Sequence, residues 1–268
     1  MVQPQVALHA VHRSYAQGPL WRRERRPVLR GVDLSLDPGE ALVLRGDNGA
    51  GKTTVLRLIA GLVVPDSGSV EVLGRAPHRD GATRARVGWV GGDGQGLFPR
   101  LTGRHNLEFF AALHALPGAE TARRIAALDE ELELGEALDR RAGECSTGMK
   151  ARLTLARALL HEPTVLLLDE VTRSLDDHHT RAVHRALRRR IEAGATVIAS
   201  SHRADDAAGL RAPEGTLRDG ELISHAVPTA ERATGAPTTE TRDSETRGSE
   251  TRGSETRGSE TRATEEHG

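Results

Sequence analysis

The sequence predicts an α/β fold, and three observations carry that prediction. An apolar run, Ala41 to Leu44, leads through the glycine-rich loop GDNGAGKTT, Gly46 to Thr54, into a helix-like pattern of Val55, Leu56, Leu58 and Ile59. A second continuous apolar run, Thr164 to Leu168, has the character of a strand buried on both faces and ends in Asp169-Glu170. Between these, Asn106 to Leu116 places Leu107, Phe109, Phe110, Leu113 and Leu116 at near-helical spacing, so an inserted helical subdomain is expected over about 97–160.

Taken in order, Val6–His12 and Val28–Leu36 read as half-buried strands of a small sheet, with Val32, Leu34 and Leu36 alternating against Asp33 and Ser35. Between them lie Tyr15, the only tyrosine, and a basic loop, Trp21–Pro27, read as solvated. The Tyr15 ring could stack on a purine or serve as an ordinary strand-end aromatic. In the loop that follows, Gly46, Gly49 and Gly51 permit backbone conformations that side chains obstruct. The stretch Gly46, Asp47, Asn48, Gly49, Ala50, Gly51, Lys52, Thr53, Thr54 can thus turn successive N–H groups towards phosphate oxygens where the helix begins. Lys52 would reach the β- and γ-phosphates and the Thr53 hydroxyl would bind Mg²⁺. The chain has two lysines, Lys52 and Lys150, against 35 arginines, so a lysine kept in this loop suits a site that needs a compact ammonium.

Ser69–Leu73 and Arg86–Val90 read as further strands, and Gly91–Gly96 (GGDGQG) as a hinge. Phe109 and Phe110 read as core, whereas Phe98, beside the hinge and a proline, is a candidate for a partner-facing groove. Ser146 is a good N-cap for the apolar helix containing Leu153, Leu155 and Leu159, which makes a second helix N-terminus able to face an anion. Asp169 and Glu170 stand at the carboxyl end of a buried strand, where open α/β sheets hold their ligands. Ala195–Ala199 is another buried strand, followed by Ser200-Ser201-His202, and Thr216–Leu222 reads as a hairpin across Asp219-Gly220. His178, His179 and His184 lack metal-ligand spacing and, with Arg181, Arg185 and Arg188–Arg190, read as a solvated helix face.

Of the 268 residues, the last stretch from Glu240 repeats ETRGS-like pentapeptides with no side chain large and apolar enough to offset its ordering entropy. The sequence therefore divides into one domain, 1–227, and a disordered tail, 228–268. A net charge of −1 argues neither for nucleic acid nor for an acidic partner. One cysteine, Cys145, leaves no disulfide framework, and no apolar run approaches the roughly 20 residues of a membrane span. With no signal-peptide core at its start, the chain is expected in the cytoplasm.

Together these residues resemble the ATP-binding subunit of an ABC transporter, over about Val6 to Ile223. The motifs fall in family order: Tyr15, the loop Gly46–Thr53, a signature-like Ser146-Thr147-Gly148-Met149-Lys150, Asp169-Glu170, Ser174-Leu175-Asp176 and His202. The resemblance implies a P-loop NTPase core with a small antiparallel β subdomain and an inserted α-helical subdomain. It also implies ATP and Mg²⁺ as cofactors, and two nucleotide-binding subunits, alike or paralogous, packed head to tail. Ser146 and Gly148 would contact the γ-phosphate held by the other subunit, and Asp176 would link the two sites. Asp169 would hold Mg²⁺, Glu170 would act as general base, His202 would hold γ-phosphate and water in line, and Lys52 would stabilise transferring charge.

Three departures stand out. Gly92 occupies the place of a family glutamine, with Asp93 and Gln95 nearby as substitutes; Cys145 and Thr147 replace a signature leucine and glycine; and Val171 replaces a proline. The signature variant looks like that of exporters with separately encoded membrane subunits. The function expected is ATP-driven export through a transmembrane permease partner, with the chain peripheral on the cytoplasmic face of the membrane. The alternative is a regulatory module that binds ATP and dimerises with little hydrolysis. A DNA- or ribosome-directed ATPase would need coiled-coil arms, zinc cysteines or a second ATP-binding domain. The tail reading makes one prediction: deleting Glu240–Gly268 leaves the steady-state ATPase rate unchanged, and a large loss would refute it.

Overall fold

Strands form where the apolar runs lie, and helices where the apolar spacing lengthens to three and four. The computed structural model describes residues 3–18, 24–91 and 96–224, all within the unit Met1–Pro228. Trp21–Arg23, the positions Gly92, Asp93 and Gln95, and the repeat tail lie outside the described residues.

In chain order the elements are β1 (Val6–Gln17), β2 (Glu24–Leu36), β3 (Ala41–Arg45), α1 (Lys52–Ile59), β4 (Ser67–Val72), the short α2 (Gly81–Arg84) and β5 (Val87–Val90). Then follow α3 (Gly103–Leu113), α4 (Gly118–Leu132), two single 3-10 turns at Gly135–Leu138 and Ala142–Glu144, and α5 (Thr147–Leu159). The last are β6 (Val165–Asp169), α6 (Asp177–Glu192), β7 (Thr196–Ser200), α7 (Asp206–Leu210), β8 (Glu214–Arg218) and β9 (Glu221–Ser224). They make a six-stranded sheet of order β5-β6-β7-β3-β8-β9, parallel except for the β8–β9 hairpin, and an antiparallel sheet of order β2-β1-β4. This is the α/β P-loop NTPase fold with its small antiparallel β sheet.

The central strands are buried on both faces because alternate side chains enter different cores. Val43, Leu166, Leu168, Val197 and Ala199 pack with Leu107, Leu153, Val183 and Leu187 of the helices. Leu42, Leu44, Val165, Leu167 and Ile198 face the other way, against Val55, Leu58 and Ile59 of α1 and Val6, Leu8, Val32 and Val70 of the three-stranded sheet. Each wholly buried leucine or isoleucine stabilises by roughly 1.5–3 kcal/mol. No helix among the described residues is long and apolar enough to cross a membrane.

Several local expectations are corrected. Tyr15 does not sit between strands: β1 runs to Gln17 and β2 begins at Glu24, with Tyr15 opposite Arg26 and Ser14 opposite Pro27. The polar residues there carry no alternation signal; antiparallel pairing to each other holds them extended. Phe109 is 42% exposed rather than core, and it packs edge-on against Phe98, itself 45% exposed. His184 is 5% exposed, so it does not belong to the solvated face of α6. Arg188 and Arg190 are half-buried, donating to Gly209 O and to Glu131.

The start of α3 rests on one buried amide. Thr102 caps the helix, its hydroxyl accepting from His105 N at 3.2 Å. Asn106, wholly buried, accepts from Phe98 N at 2.7 Å and donates to the carbonyls of Phe98 and Thr102 at 3.1 and 2.9 Å. The segment 98–102 is thereby folded onto the helix that follows it. Asn106→Ala strands these backbone groups and is expected to cost about 2–3 kcal/mol. Thermal melting checks this through a fall in Tm of roughly 5–10 °C.

Candidate nucleotide site

Three parallel strands end level with one another. Asp169 of β6 pairs with Ser200 of β7, and Leu44 of β3 pairs with Ser200 from the other side. The loops that leave these ends therefore emerge side by side at the carboxyl edge of the sheet. Lys52 Nζ lies 2.7 Å from Gly46 O, 3.2 Å from Asp47 O and 3.3 Å from His202 Nε2. The same His202 nitrogen lies 3.3 Å from Glu170 Oε1. An ammonium only donates and a carboxylate only accepts, so the bare Nε2 serves Lys52 and the protonated Nε2 serves Glu170. The imidazole is thus poised between a cation and an anion, and its proton selects the partner.

The loop after β3 is shaped by close backbone approach. Gly46 has φ +135°, and a Cβ there would lie 2.3 Å from Leu217 O of β8. Gly51, at φ +110°, backs onto Leu29 and Val28 of β2, and it precedes α1 without any side-chain cap. The first-turn N–H groups of α1 are consequently left for an anion, with the positive end of the helix dipole behind them. Ala50 N donates to Asp47 O at 3.1 Å, which closes the turn. A cavity of about 400 Å³ runs from this loop to the small sheet, lined by Asn48, Gly49, Gly51, Lys52, Thr53 and Thr54 on one side and Tyr15, Gln17, Arg26 and Val28 on the other, with Glu170 at its edge. One face of the Tyr15 ring is covered by the Arg13 guanidinium, 4.9 Å from its centroid.

Thr53 Oγ1 donates to Asp169 Oδ2 at 2.8 Å, while Ser200 Oγ donates to Asp169 Oδ1 at 2.5 Å. A hydroxyl and a carboxylate oxygen side by side form the hard-oxygen pair that suits Mg²⁺, which takes one or two protein ligands beside phosphate oxygens and water. Among the described residues no cluster of three or more His, Cys, Asp or Glu could hold a metal ion.

Glu170 leaves β6 with φ +52°, a left-handed conformation that costs a non-glycine residue about 1–3 kcal/mol. Its N–H still donates to Ser200 O at 3.1 Å, so the turn is held while the carboxylate swings towards His202. Its other oxygen, Oε2, accepts from Arg173 at 2.9 Å. Sequence reasoning missed Arg173; its place three residues after Glu170, within one turn, was the available signal.

Ser146, Gly148 and Asp176 line neither the cavity above nor a second one of about 200 Å³ bounded by Thr53, Thr147, Ala151, Asp169, Glu170 and Ser174. Ser146 caps α5, its hydroxyl accepting from Met149 N at 3.2 Å. Gly148 packs near Ser174 O, which a Cβ would approach to 3.1 Å. Asp176 caps α6, and the His179 N–H, then its ring, hold the carboxyl below the usual carboxylate range. Tyr15, the phosphate loop and Glu170 therefore line one cavity, Asp169 and Glu170 line the second, and His202 lies 3.3 Å from both Lys52 and Glu170, while Ser146, Gly148 and Asp176 line neither cavity.

A phosphate loop, a strand-end carboxylate pair and an imidazole at the edge of a parallel sheet define a nucleotide-hydrolysing P-loop protein. The ABC transporter family matches residues 29–173, and the chain belongs to that family. It is 34% identical over 231 residues to the Nod factor export ATP-binding protein I of Paraburkholderia xenovorans, covering 86% of this chain and 73% of that protein. It is 33% identical over 197 residues to the ABC transporter ATP-binding protein NatA of Bacillus subtilis, covering 73% of this chain and 80% of that protein. Among solved structures, a dimeric ATP-binding cassette in a post-hydrolysis state bound to ADP and Pi aligns with a TM-score of 0.72 at 26% identity, covering 81% of this chain and 96% of that one. The chain is an ATP-binding ATPase subunit that drives transport.

The Gly46 geometry generates a prediction. A side chain there must move the loop or β8, so Gly46→Ala is expected to raise the Kd for ATP about tenfold or more, from roughly 1–3 kcal/mol of strain. Titration with a fluorescent ATP analogue measures this, and an unchanged Kd would count against the close approach.

Proposed function

We propose that this chain is the ATP-hydrolysing subunit of an exporter whose pathway is supplied by a separate transmembrane permease. The observation that carries the reading is the meeting of Lys52, His202 and Glu170 beside the phosphate loop. Its similarity to Nod factor export ATP-binding protein I supports export as the direction of transport.

In this reading ATP lies along the larger cavity with its base on the free face of Tyr15 and its triphosphate in the loop. Backbone N–H groups from Gly46 to Thr54 cradle the phosphates, and Lys52 exchanges the carbonyls of Gly46 and Asp47 for β- and γ-phosphate oxygens. Thr53 and Asp169 hold Mg²⁺, which when bound neutralises charge on the transferring phosphoryl group. Glu170 orients a water and takes its proton as the water oxygen bonds to the γ-phosphorus and the bond to the β-phosphate oxygen breaks. His202 keeps γ-phosphate and water in line.

A single chain supplies half of this site. That Ser146 and Gly148 line neither cavity supports a head-to-tail pair of nucleotide-binding subunits, in which the α5 N-terminus of one faces the γ-phosphate bound by the other. Asp176 then links the two sites. Residues 1–227 are read as the ATP-binding domain, with its helical subdomain over about 97–160. The exposed Phe98, Phe109 and Leu113 of the helical subdomain support contact with the permease, which would hold the chain at the cytoplasmic face of the membrane. The reading involves no nucleic acid.

Glu170→Gln tests the proposal. Turnover is expected to fall about a hundredfold or more while ATP binding persists. Because hydrolysis is blocked, the solution mass of the variant should double with ATP and Mg²⁺. A variant that binds ATP yet stays monomeric would point to a paralogous or membrane partner as the second half. A parent chain that binds ATP without turnover would favour the regulatory alternative.

A further inference from the structure

A buried carboxylate outside the hydrolytic cluster ties together the two loops on which that cluster stands. Asp206, at the start of α7, is 3% exposed, and Thr172, His184 and Ser201 around it are equally hidden. Its Oδ1 lies 2.8 Å from His184 Nε2 of α6. Its Oδ2 accepts from Thr172 Oγ1 at 2.6 Å and from Ser201 Oγ. Burial by itself would raise the Asp206 carboxyl, but hydrogen bonds from His184, Ser201 and Thr172 outweigh it and hold the group below its ordinary value. An ionised carboxylate only accepts, so His184 carries its proton on Nε2. The edge of the ring at Nδ1 meets Gly209 of α7, where a Cβ would lie 2.0 Å away. Only a residue without a side chain lets the imidazole reach Asp206.

The positions of these partners matter more than their number. Thr172 lies two residues beyond Glu170, and Ser201 immediately precedes His202. The β6–β7 ladder stops at Asp169 and Ser200, so it cannot by itself hold the loops beyond. Ser201 is further restrained, its hydroxyl accepting from Arg203 N at 2.9 Å and its carbonyl from Arg45 at 3.1 Å. Asp206 continues the connection where the backbone pairing ends. A satisfied buried network of this kind is rigid, since each donor has one acceptor and all four residues are buried.

We infer that Asp206 is a positioning residue for ATP hydrolysis: by accepting from Thr172 and Ser201 at once, with His184 steering it, it sets the separation of Glu170 and His202. This rests on the reading of Glu170 and His202 as the hydrolytic pair.

The test uses near-isosteric changes at Thr172, because Asp206→Asn could fail to fold. Purified full-length Thr172→Val and Thr172→Ser are compared with the parent for kcat, KM, Kd for ATP and Tm. Thr172→Val is expected to lower kcat about tenfold to a hundredfold while KM and Kd stay within about twofold. Thr172→Ser, which keeps the hydroxyl, should retain kcat within about twofold of the parent. A folded Thr172→Val with the parent's kcat, or a loss that Thr172→Ser shares, would overturn the inference. Glu170→Gln run alongside separates the two levels. If it retains turnover, the hydrolytic pair and the inference fall together; if it is inactive and Thr172→Val is not impaired, only the positioning role falls.

Discussion

The registration of three parallel strands is the constraint on which this protein's chemistry depends. Pairing Asp169 with Ser200, and Ser200 with Leu44, brings the ends of β6, β7 and β3 to one level. A parallel ladder slipped by one residue would exchange the two faces of a strand and drive its buried side chains into the wrong core. The cores on either side of the sheet therefore enforce the registration, and the registration puts Lys52 and Glu170 each within hydrogen-bonding distance of His202.

What happens beyond the strand ends is governed by departures from regular structure. Gly46 passes so close to β8 that no side chain fits, and Glu170 turns out of β6 in a strained conformation held by Ser200. Such local costs are supportable because the sheet beneath is buried on both faces. The two helix N-termini show a related contrast. α1 begins without a side-chain cap, leaving its N–H groups for a ligand, whereas Ser146 closes part of the α5 terminus on itself. The first belongs to the chain's own phosphate loop, and the second brings Thr147 to the smaller cavity beside Thr53 and Asp169.

Much of this was legible in the sequence. Apolar runs marked β3, β6 and β7, glycine spacing marked the loop, and the charged residues that matter follow directly after those runs. The reading was weakest where neighbours in space are distant in sequence. His184 sits among arginines along α6 and reads as solvated, yet α7, 22 residues on, covers it and supplies Asp206. The pairing from Ser14 onward lacks alternation because neither strand has a buried side chain there, residues 24–27 being exposed, so only their mutual pairing reveals them. Phe109 has the spacing of a core residue but is left half-exposed, packed edge-on against Phe98 and Phe110.

By itself the sequence determined which residue types could do the chemistry and the turns from which they would project. Those are local properties: glycine freedom, strand burial, helix capping and the order of motifs along the chain. Only the tertiary structure decided which of them meet. That Lys52 and Glu170 share one imidazole, that Arg173 takes the second carboxylate oxygen, and that Asp206 bridges Thr172 and Ser201 are consequences of how sheet, α6 and α7 pack. Contacts of that kind depend on distances through space, set by strand registration and helix packing, and no periodicity along a single chain encodes them.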